Sequence, residues 1–433
     1  MTDMAGEQRH YLFLQGPHGP FFGQLAKAVQ ATGAKVSRIG FNQGDRHFWP
    51  RGLEYYPFNA ALRDWADALR AHLAQHAISD IVVYGDSRPH HQTARDIAEN
   101  MALRVHCFEE GYLRPYWATY ERGGVNGNSA LMHIEIAEMR AALAARGAHA
   151  PAAPPQWGAL WHHMWYGFRY HLNFLRPPGG HGPPQTHREF SVLSELRLHV
   201  RRLVWLPLAA LRRRIQTRAL LRAGQPYHLA LLQLGHDTSL RVHSKYNSMR
   251  GFVDDVMDGF ANGAPPHHQL VFKAHPLEDG REKLRAYVHH KAREMGMVGR
   301  VHFLMGGRLG PVLDRARSAV TVNSTAAQQA LWRGLPVLAL GRAVYAKPGL
   351  VSDQPLAAFF ARPALPDRDS YADFRQFLLE TSQLSGGFYT AAGRAELLRQ
   401  VVDLMLATQD RYRMVLPHRI PRVVSGLPLG QKL

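Results

Sequence analysis

Two groups of polar residues follow short apolar runs in the second half of the sequence, and both are suited to binding an anion. Asn323-Ser324-Thr325 comes directly after the β-branched run Ala319–Val322, and a helix is predicted from Ala326 to about Trp332. Free N–H groups and the helix dipole converge at such a junction, so a phosphate can bind there. His275-Pro276 follows another predicted strand, Leu270–Ala274. In an open α/β sheet, both strand ends would face one crevice.

Each group also has a purely structural interpretation. Ser and Thr are preferred helix caps, so Ser324 or Thr325 would only begin the helix. His275 would then be a core histidine that precedes a proline. The residue types alone leave both interpretations open.

The elements that must position these residues follow the order of an α/β protein. Predicted strands and helices alternate from Tyr11 to Phe108 and again from His228 to Leu406. We therefore predict an α/β fold with two Rossmann-like domains facing a cleft, which is the GT-B glycosyltransferase architecture by analogy. The length of 433 residues agrees, because one core seldom supports so long a chain.

Composition limits the partners and the compartment. A net charge of +18 indicates an anionic partner: nucleic acid, anionic lipid or a phosphorylated substrate. The lone Cys107 is compatible with a reducing compartment. The polar start of the chain does not look like a signal peptide, and no uncharged stretch is long enough to cross a bilayer. We therefore expect a cytoplasmic protein.

The segment Arg201–Arg222 has a different character from the alternating regions. Seven Arg flank a short apolar centre that contains Trp205 and Pro207. Basic segments that carry aromatic residues can lie in a membrane interface, so we predict a membrane contact here. The alternative is an inter-domain helix whose arginines are merely solvated.

Several short motifs, taken together, resemble the KpsS/LipB-type capsule polysaccharide synthesis proteins. They are FLQGPHGPFFGQLAKAV from Phe13, FNQGDRHFW at Phe41–Trp49, EEGYLRP at Glu109–Pro115, FKAHP at Phe272–Pro276 and VNSTAAQQAL at Val322–Leu331. The resemblance implies a GT-B-like retaining β-Kdo transferase that uses CMP-Kdo as co-substrate. The family builds a Kdo linker on a phosphatidylglycerol-type lipid at the inner face of the bacterial inner membrane. A capsule assembly complex is a further expected partner.

Changes in composition and pattern divide the chain into four predicted parts, and the resemblance assigns acceptor and donor roles to two of them. The predicted parts are 1–150, an acceptor domain with the catalytic carboxylate; 151–224, a Pro-, aromatic- and Arg-rich insertion or linker in contact with the membrane; 225–410, a CMP-sugar donor domain; and 411–433, a basic tail. His275 would donate a hydrogen bond or proton to the leaving phosphate. The expected donor-binding residues are Lys273, His275, Pro276, Asn323, Ser324 and Thr325.

Retention of configuration calls for a carboxylate beside the sugar. Glu110 matches the second acid of the family's acid-acid-Gly motif, and Gly111 would let the backbone approach the site. Glu109 is the adjacent alternative, and it points the other way if the strand continues. Asp237 is a further catalytic candidate. The expected partners of the sugar carboxylate are Arg114 and Arg241.

Other functional classes receive less support from the sequence. Its histidine pairs and single Cys lack the spacing of common metal motifs, so neither a metal nor another cofactor is expected. No signature of a nucleic-acid-binding fold accompanies the positive charge, which argues against nucleic acid as the partner. A noncatalytic capsule assembly or export partner is the main alternative to an enzyme.

Overall fold

The computed structural model describes residues 8–147, 160–173, 211, 213–235, 238–276, 278, 280 and 282–416. The chain divides into two compact units, which we call unit 1 and unit 2. Unit 1 consists of Met1–Ile134, Ala144–Val192 and Gln376–Leu433, and unit 2 consists of Glu135–Leu143 and Leu193–Arg375. Each unit contains its own largely or wholly parallel sheet, which confirms the predicted α/β fold class.

Strands of both units are short and mostly buried. In chain order they are β1 (His10–Phe13), β2 (Lys35–Gly40), β3 (Glu54–Pro57), β4 (Asp80–Tyr84), β5 (Arg104–Glu110), β6 (Trp117–Arg122), β7 (Tyr227–Leu231), β8 (Gln269–Lys273), β9 (Val301–Leu304), β10 (Ser318–Thr321), β11 (Val337–Ala339) and β12 (Gln383–Ser385). Runs such as β4 and β8 are buried along nearly their whole length, as expected of parallel strands that helices cover.

Helices alternate with these strands. They are α1 (Phe21–Gln30), α2 (Gln43–His47), α3 (Trp65–His76), α4 (Pro89–Asn100), α5 (Ile136–Arg146), α6 (Leu160–Leu172), α7 (213–223), α8 (Thr238–Val242), α9 (Met249–Gly263), α10 (Leu284–Glu294), α11 (Gly310–Leu313), α12 (Ala327–Trp332), α13 (Leu356–Ala361), α14 (Arg368–Thr381), α15 (Ala391–Leu406) and α16 (Arg411–Val415). Short 3₁₀ turns lie at Leu62–Asp64, Asn126–Asn128 and Ala130–His133.

The sheet of unit 1 has the order β12-β6-β5-β4-β1-β2-β3. Strands β5, β4, β1, β2 and β3 are parallel, whereas β6 is antiparallel to β5 and to β12. The chain leaves β1 towards β2 on one side and returns to β4 on the other, so the strand order reverses between β1 and β4. Such a switch point leaves a crevice at the carboxyl ends of the strands.

The sheet of unit 2 has the order β11-β10-β7-β8-β9, and all its pairs are parallel. Its strand order reverses between β7 and β10. The core on one face joins strand residues such as Phe272 to Phe252 and Phe260 of α9 and to Phe359 of α13. This packing fixes the strands whose ends carry the candidate site.

The end of the chain differs from the predicted domain boundaries. Residues 225–410 were assigned to a single domain, but residues 376–433 return to unit 1. There β12 pairs with β6, and Leu397 and Val401 of α15 join a core that includes Phe21. A helical pattern shows that a helix forms but not which sheet it covers, so the return was invisible in the sequence.

The predicted segment 151–224 also divides between the units. Residues 160–173 belong to unit 1, and 211 and 213–224 belong to unit 2. The rest of that segment, including most of 201–212, and the predicted tail from 417 onward lie outside the described residues.

Candidate functional site

One candidate site lies in unit 2, at the carboxyl ends of β7, β8 and β10. We call it the unit 2 edge and define it by Gln233, Lys273, His275, Asn323 and Ser324. Both β8 and β10 pair in parallel with β7, one on each side of it. The two polar groups picked out in the sequence therefore lie at the same edge of the same sheet.

At the switch point of unit 2, the Gln233 side chain forms two hydrogen bonds with Asn323. Gln233 Nε2 donates to Asn323 Oδ1 at 2.7 Å, and the Asn323 N–H donates to Gln233 Oε1 at 3.0 Å. Gln233 is buried, so these bonds satisfy its amide away from water. The pair fixes the turn that carries Ser324. Sequence reasoning did not select Gln233, although the chain places a Gln at the end of the first strand in each unit, Gln15 and Gln233.

The turn after β10 differs in one respect from the prediction. Helix α12 begins at Ala327 with Ala326 as its N-cap residue, and no side chain caps it. Neither Ser324 nor Thr325 is therefore the N-cap residue, which was one of the two interpretations left open, because the turn at Thr325-Ala326 precedes the helix. Ser324 Oγ instead accepts the Ala326 N–H at 3.3 Å, and the Ser324 carbonyl accepts the Tyr345 hydroxyl at 2.7 Å. The Ser324 and Thr325 side chains remain half-buried at the edge.

Lys273 ends β8 and is buried. Its ammonium donates to the carbonyl oxygens of Gly306 and Gly307 in the loop after β9. Burial and then the nearby Arg213 guanidinium lower the pKa of Lys273 to about 8. The residue thus brings positive charge to the unit 2 edge and at the same time holds the adjacent loop.

The remaining predicted residues of unit 2 occupy different situations. His275 is half-buried two residues after β8, and its carbonyl accepts the Glu278 N–H at 3.0 Å. Pro276 is exposed, and Arg241 is exposed on α8. Asp237 lies outside the described residues.

Glu282 is a carboxylate at this edge that sequence reasoning missed. Its side chain lies against Gly235, in the space that a Cβ at that position would fill. Gly235 follows β7, so the Glu282 carboxylate reaches the loop between β7 and α8. Glu282 lies just before α10, which begins at Leu284.

A second candidate site lies in unit 1, at the carboxyl ends of β4 and β5. We call it the unit 1 edge and define it by Tyr84, Glu109, Glu110 and Tyr389. The prediction ended the strand at Phe108, but β5 continues through Glu110. Consecutive residues of a strand point to opposite faces, so Glu109 and Glu110 are directed to opposite sides of the sheet.

Glu110 is surrounded by phenol groups. The Tyr84 hydroxyl donates to Glu110 Oε1 at 2.9 Å, and the Tyr389 hydroxyl is also hydrogen-bonded to Glu110. Burial raises the pKa of both phenols well above the ordinary value, and the Glu110 charge raises it further. Tyr84 and Tyr389 therefore remain protonated donors, which hold Glu110 in a defined position.

Glu109 is bound to its own strand instead. Its Oε1 accepts the Glu110 N–H at 2.9 Å, and its other oxygen lies near Gly85. Gly111 allows close packing within the β5–β6 hairpin, because a Cβ there would overlap the Trp117 carbonyl. Arg114 Nε donates to the Gly111 carbonyl at 3.2 Å. Gly111 and Arg114 thus both have a structural role in this hairpin, next to the acid pair.

The described residues offer no sign of a metal cluster or of a membrane-spanning helix. In this part of the chain, no cluster of three or more His, Cys, Asp or Glu side chains has a metal-binding arrangement. Within the same residues, no helix combines the length and apolar character needed to cross a bilayer.

The sequence matches a family model described as capsule polysaccharide biosynthesis protein over residues 79–389. The chain belongs to this family. The match covers β4, β5 and both candidate edges, and it confirms the resemblance seen in the motifs.

Curated relatives of this family member cover nearly the whole chain. This chain is 31% identical over 390 residues to the capsule polysaccharide export protein KpsS of Escherichia coli. The alignment covers 88% of this chain and 97% of the relative. The chain is 30% identical over 411 residues to the capsule polysaccharide modification protein LipB of Neisseria meningitidis serogroup B, covering 90% and 94%.

Solved structures show more distant similarity to this family member. One is the β-Kdo 2,7 transferase KpsC of Thermosulfurimonas dismutans, with 13% identity, a TM-score of 0.43 and coverage of 92% of this chain and 100% of that one. Another is HepE of Anabaena in complex with UDP and glucose, with 12% identity, a TM-score of 0.34 and coverage of 95% and 98%.

The amide pair at the unit 2 edge leads to a prediction about stability. Gln233→Leu removes both hydrogen bonds from the half-buried Asn323 and places an apolar side chain beside it. We expect the free energy of unfolding to fall by about 1–3 kcal/mol, measured by urea denaturation. Gln30→Leu, at an exposed position of α1, is the matched control and should change little. An unchanged unfolding midpoint for Gln233→Leu would show that the pair contributes nothing to the fold.

Proposed function

We propose that the protein is a glycosyltransferase that moves Kdo from CMP-Kdo to a phosphatidylglycerol-type lipid and starts the β-Kdo linker of a capsular polysaccharide. One observation carries this proposal: His275 and Ser324, which lie far apart in the sequence, follow strands on the two sides of β7 at one sheet edge. Polar groups that converge on a switch point suit the phosphate of a nucleotide sugar. Family membership supports the capsule as the pathway.

In this proposal the phosphate of CMP-Kdo binds at the unit 2 edge. The bond between the anomeric carbon of Kdo and the phosphate oxygen breaks, and CMP leaves with the electron pair. His275 donates a hydrogen bond or proton to that oxygen. Ser324, Thr325 and Asn323 hold the phosphate, with Pro276 shaping the same edge and Lys273 adding positive charge.

The acceptor hydroxyl oxygen forms the new bond to the anomeric carbon, and its proton passes to a base. Glu110 is our proposed catalytic carboxylate, since it is ionisable and held by two neutral phenols. It stabilises the oxocarbenium-like sugar, attacks it or takes the proton. Asp237 is the second candidate for this role. Arg114 and Arg241 are proposed partners of the sugar carboxylate, with Glu109 and Gly111 contributing further contacts.

The decisive experiment is incubation of the purified protein with CMP-Kdo and phosphatidylglycerol vesicles. We expect release of CMP together with a lipid product whose mass has increased by Kdo residues. Magnetic resonance of the product should show the β-anomer. Absence of both CMP and product under conditions where CMP-Kdo binds would refute the enzyme proposal.

A noncatalytic export partner is the second candidate function. The Escherichia coli relative is named as an export protein, which favours this candidate. Such a protein would bind CMP-Kdo or lipid without turnover and would act in a capsule assembly complex. The same incubation separates the two candidates, because only the enzyme releases CMP.

We further propose that the protein acts at the inner face of the inner membrane and binds the bilayer through Arg201–Arg222. Of this segment, the described part includes exposed Leu211 and Ile215, with Arg214, Arg218 and Arg222 exposed on α7. Apolar residues next to arginines are suited to an anionic surface.

Charge reversal tests this contact. Arg214, Arg218 and Arg222 are the residues to change to Glu, because Arg213 lies beside Lys273 and Gly306. Each basic group near an anionic surface contributes about 1 kcal/mol, so the triple variant should leave the vesicle fraction in a flotation assay. The matched control changes Lys283, Arg285 and Arg293 on and beside α10 to Glu, with the same total charge. Equal release of both variants would point to net charge alone, and vesicle binding of the α7 variant at the parental level would contradict the proposed contact.

A further inference from the structure

Helix α6 lies against unit 1 with one of its faces. Tyr170 is buried, and its hydroxyl accepts from Gln15 Nε2 at 2.9 Å and donates to Asp45 Oδ1 at 3.1 Å. The Tyr166 ring lies 3.2 Å from the place that a Cβ on Gly19 would occupy. These contacts hold α6 at the carboxyl ends of the strands, beside the switch point of unit 1.

The opposite face of α6 exposes a continuous apolar stripe. Its members are Trp161, Trp165, Phe168 and Leu172, with exposed fractions of 60%, 45%, 37% and 47%. Steps of four, three and four residues place them on one side of a helix. The ring centroids of Trp161 and Trp165 are 6.2 Å apart, as are those of Trp165 and Phe168. Soluble proteins rarely expose such a continuous patch unless it binds something.

The charges near the stripe indicate what binds there. Helix α6 itself, Leu160–Leu172, contains no Asp or Glu, and it carries Arg169 and three His. Helix α2, which packs beside α6, presents exposed Arg46, and Arg169 of α6 lies next to His47. The carboxylate of α2, Asp45, is buried and paired with Arg38. The exposed side chains of α6 and α2 therefore combine Trp and Phe with arginine.

An anionic lipid bilayer fits this combination. Trp is favoured at the level of lipid headgroups, and basic residues beside it attract anionic lipids. A second copy of the chain fits less well, because a symmetric contact would bring the same cations together. We propose that α6 is an interfacial helix that docks unit 1 on an anionic bilayer through Trp161, Trp165, Phe168 and Leu172.

The position of α6 connects this docking to the unit 1 edge. His163 of α6 contacts the Tyr389 ring, with centroids 4.6 Å apart, and Tyr389 is hydrogen-bonded to Glu110. A bilayer at the outer face of α6 therefore lies one helix thickness from the proposed catalytic carboxylate. The idea that the bilayer supplies the acceptor rests on the proposed function. The docking itself is independent of that function.

Vesicle flotation of the full chain tests the docking. The protein should float with vesicles that contain phosphatidylglycerol and stay behind with neutral phosphatidylcholine vesicles. The variant Trp161→Ser/Trp165→Ser/Phe168→Ser should lose binding at least tenfold. The control Trp332→Ser/Val298→Ser/Leu365→Ser changes scattered apolar residues that are at least as exposed, and it should float like the parent. Circular dichroism and thermal melting establish that each variant is folded.

A second, conservative variant separates docking from misfolding. Trp161→Phe/Trp165→Phe keeps the stripe apolar and should bind vesicles within about threefold of the parent. Parental flotation of the triple Ser variant would overturn the proposal. Sedimentation gives a second way to overturn it. If the parent is a dimer and the triple Ser variant floats normally but is a monomer, the stripe is a contact between copies. Flotation without release of CMP would refute the proposed function and leave the docking intact.

Discussion

Replacing Glu110 by Gln is expected to lower Kdo transfer by about 10²–10⁴-fold, the usual contribution of a positioned acid or base. The amide keeps the shape and can still accept from Tyr84 and Tyr389, whose hydroxyls hold Glu110 in place. The negative charge that stabilises the oxocarbenium-like sugar is lost. Binding of CMP-Kdo should remain, since the proposed donor residues belong to unit 2. Transfer is measured by CMP release, and binding by calorimetry.

Two control variants sharpen the Glu110 prediction. Glu109→Gln should have a much milder effect, because Glu109 points to the other face of β5 and binds its own strand. Glu99→Gln, at an exposed position of α4, should have none. An inactive Glu109→Gln or Asp237→Asn beside an active Glu110→Gln would mean that another carboxylate is catalytic. Full activity of Glu110→Gln, Glu109→Gln and Asp237→Asn would make the acid pair purely structural.

The second large effect is expected at the unit 2 edge. His275→Ala and Ser324→Ala should each lower transfer by about a hundredfold, the usual loss when one donor to a developing negative charge is removed. Both side chains are half-buried at the end of a strand, so the melting temperature should change little. The rates are measured at saturating CMP-Kdo to separate chemistry from binding.

The double variant adds a test of the shared phosphate. If His275 and Ser324 act on the same group, the combined loss should be smaller than the product of the single losses. His267→Ala is the matched control, since His267 is exposed and precedes β8 at the opposite end of the strand. Parental turnover of both single variants would place the phosphate site elsewhere.

Local sequence patterns predicted the α/β fold class and the strands that carry the site. Buried parallel strands are short, nearly continuous apolar runs, and Leu270–Ala274 and Ala319–Val322 were recognisable for that reason. Because parallel strands end at the same edge, the sequence also predicted that His275 and Ser324 would share it. The motifs around them identified the family, which the family match confirms.

The details of the turn after β10 could not be derived in the same way. Ser and Thr have a strong preference for caps, but here the turn at Thr325-Ala326 delays the start of α12. The amide pair between Gln233 and Asn323 joins residues that are remote in sequence. Only the pairing of β7 with β10 brings them together.

The unit 1 edge and α6 depended on tertiary structure still more. Tyr389 reaches Glu110 because residues 376–433 return to unit 1, and no local pattern specifies that return. The aromatic character of α6 was visible in the sequence, but a helix rich in Trp, Tyr and Phe on several sides does not reveal its buried face. Gly19 and Gly44 make room for Tyr166 and Tyr170, and this packing decides that Trp161 and Trp165 face outward. Periodicity is local and can be read along the chain, whereas the choice of a packing partner is a free-energy difference between surfaces that meet only in the folded protein.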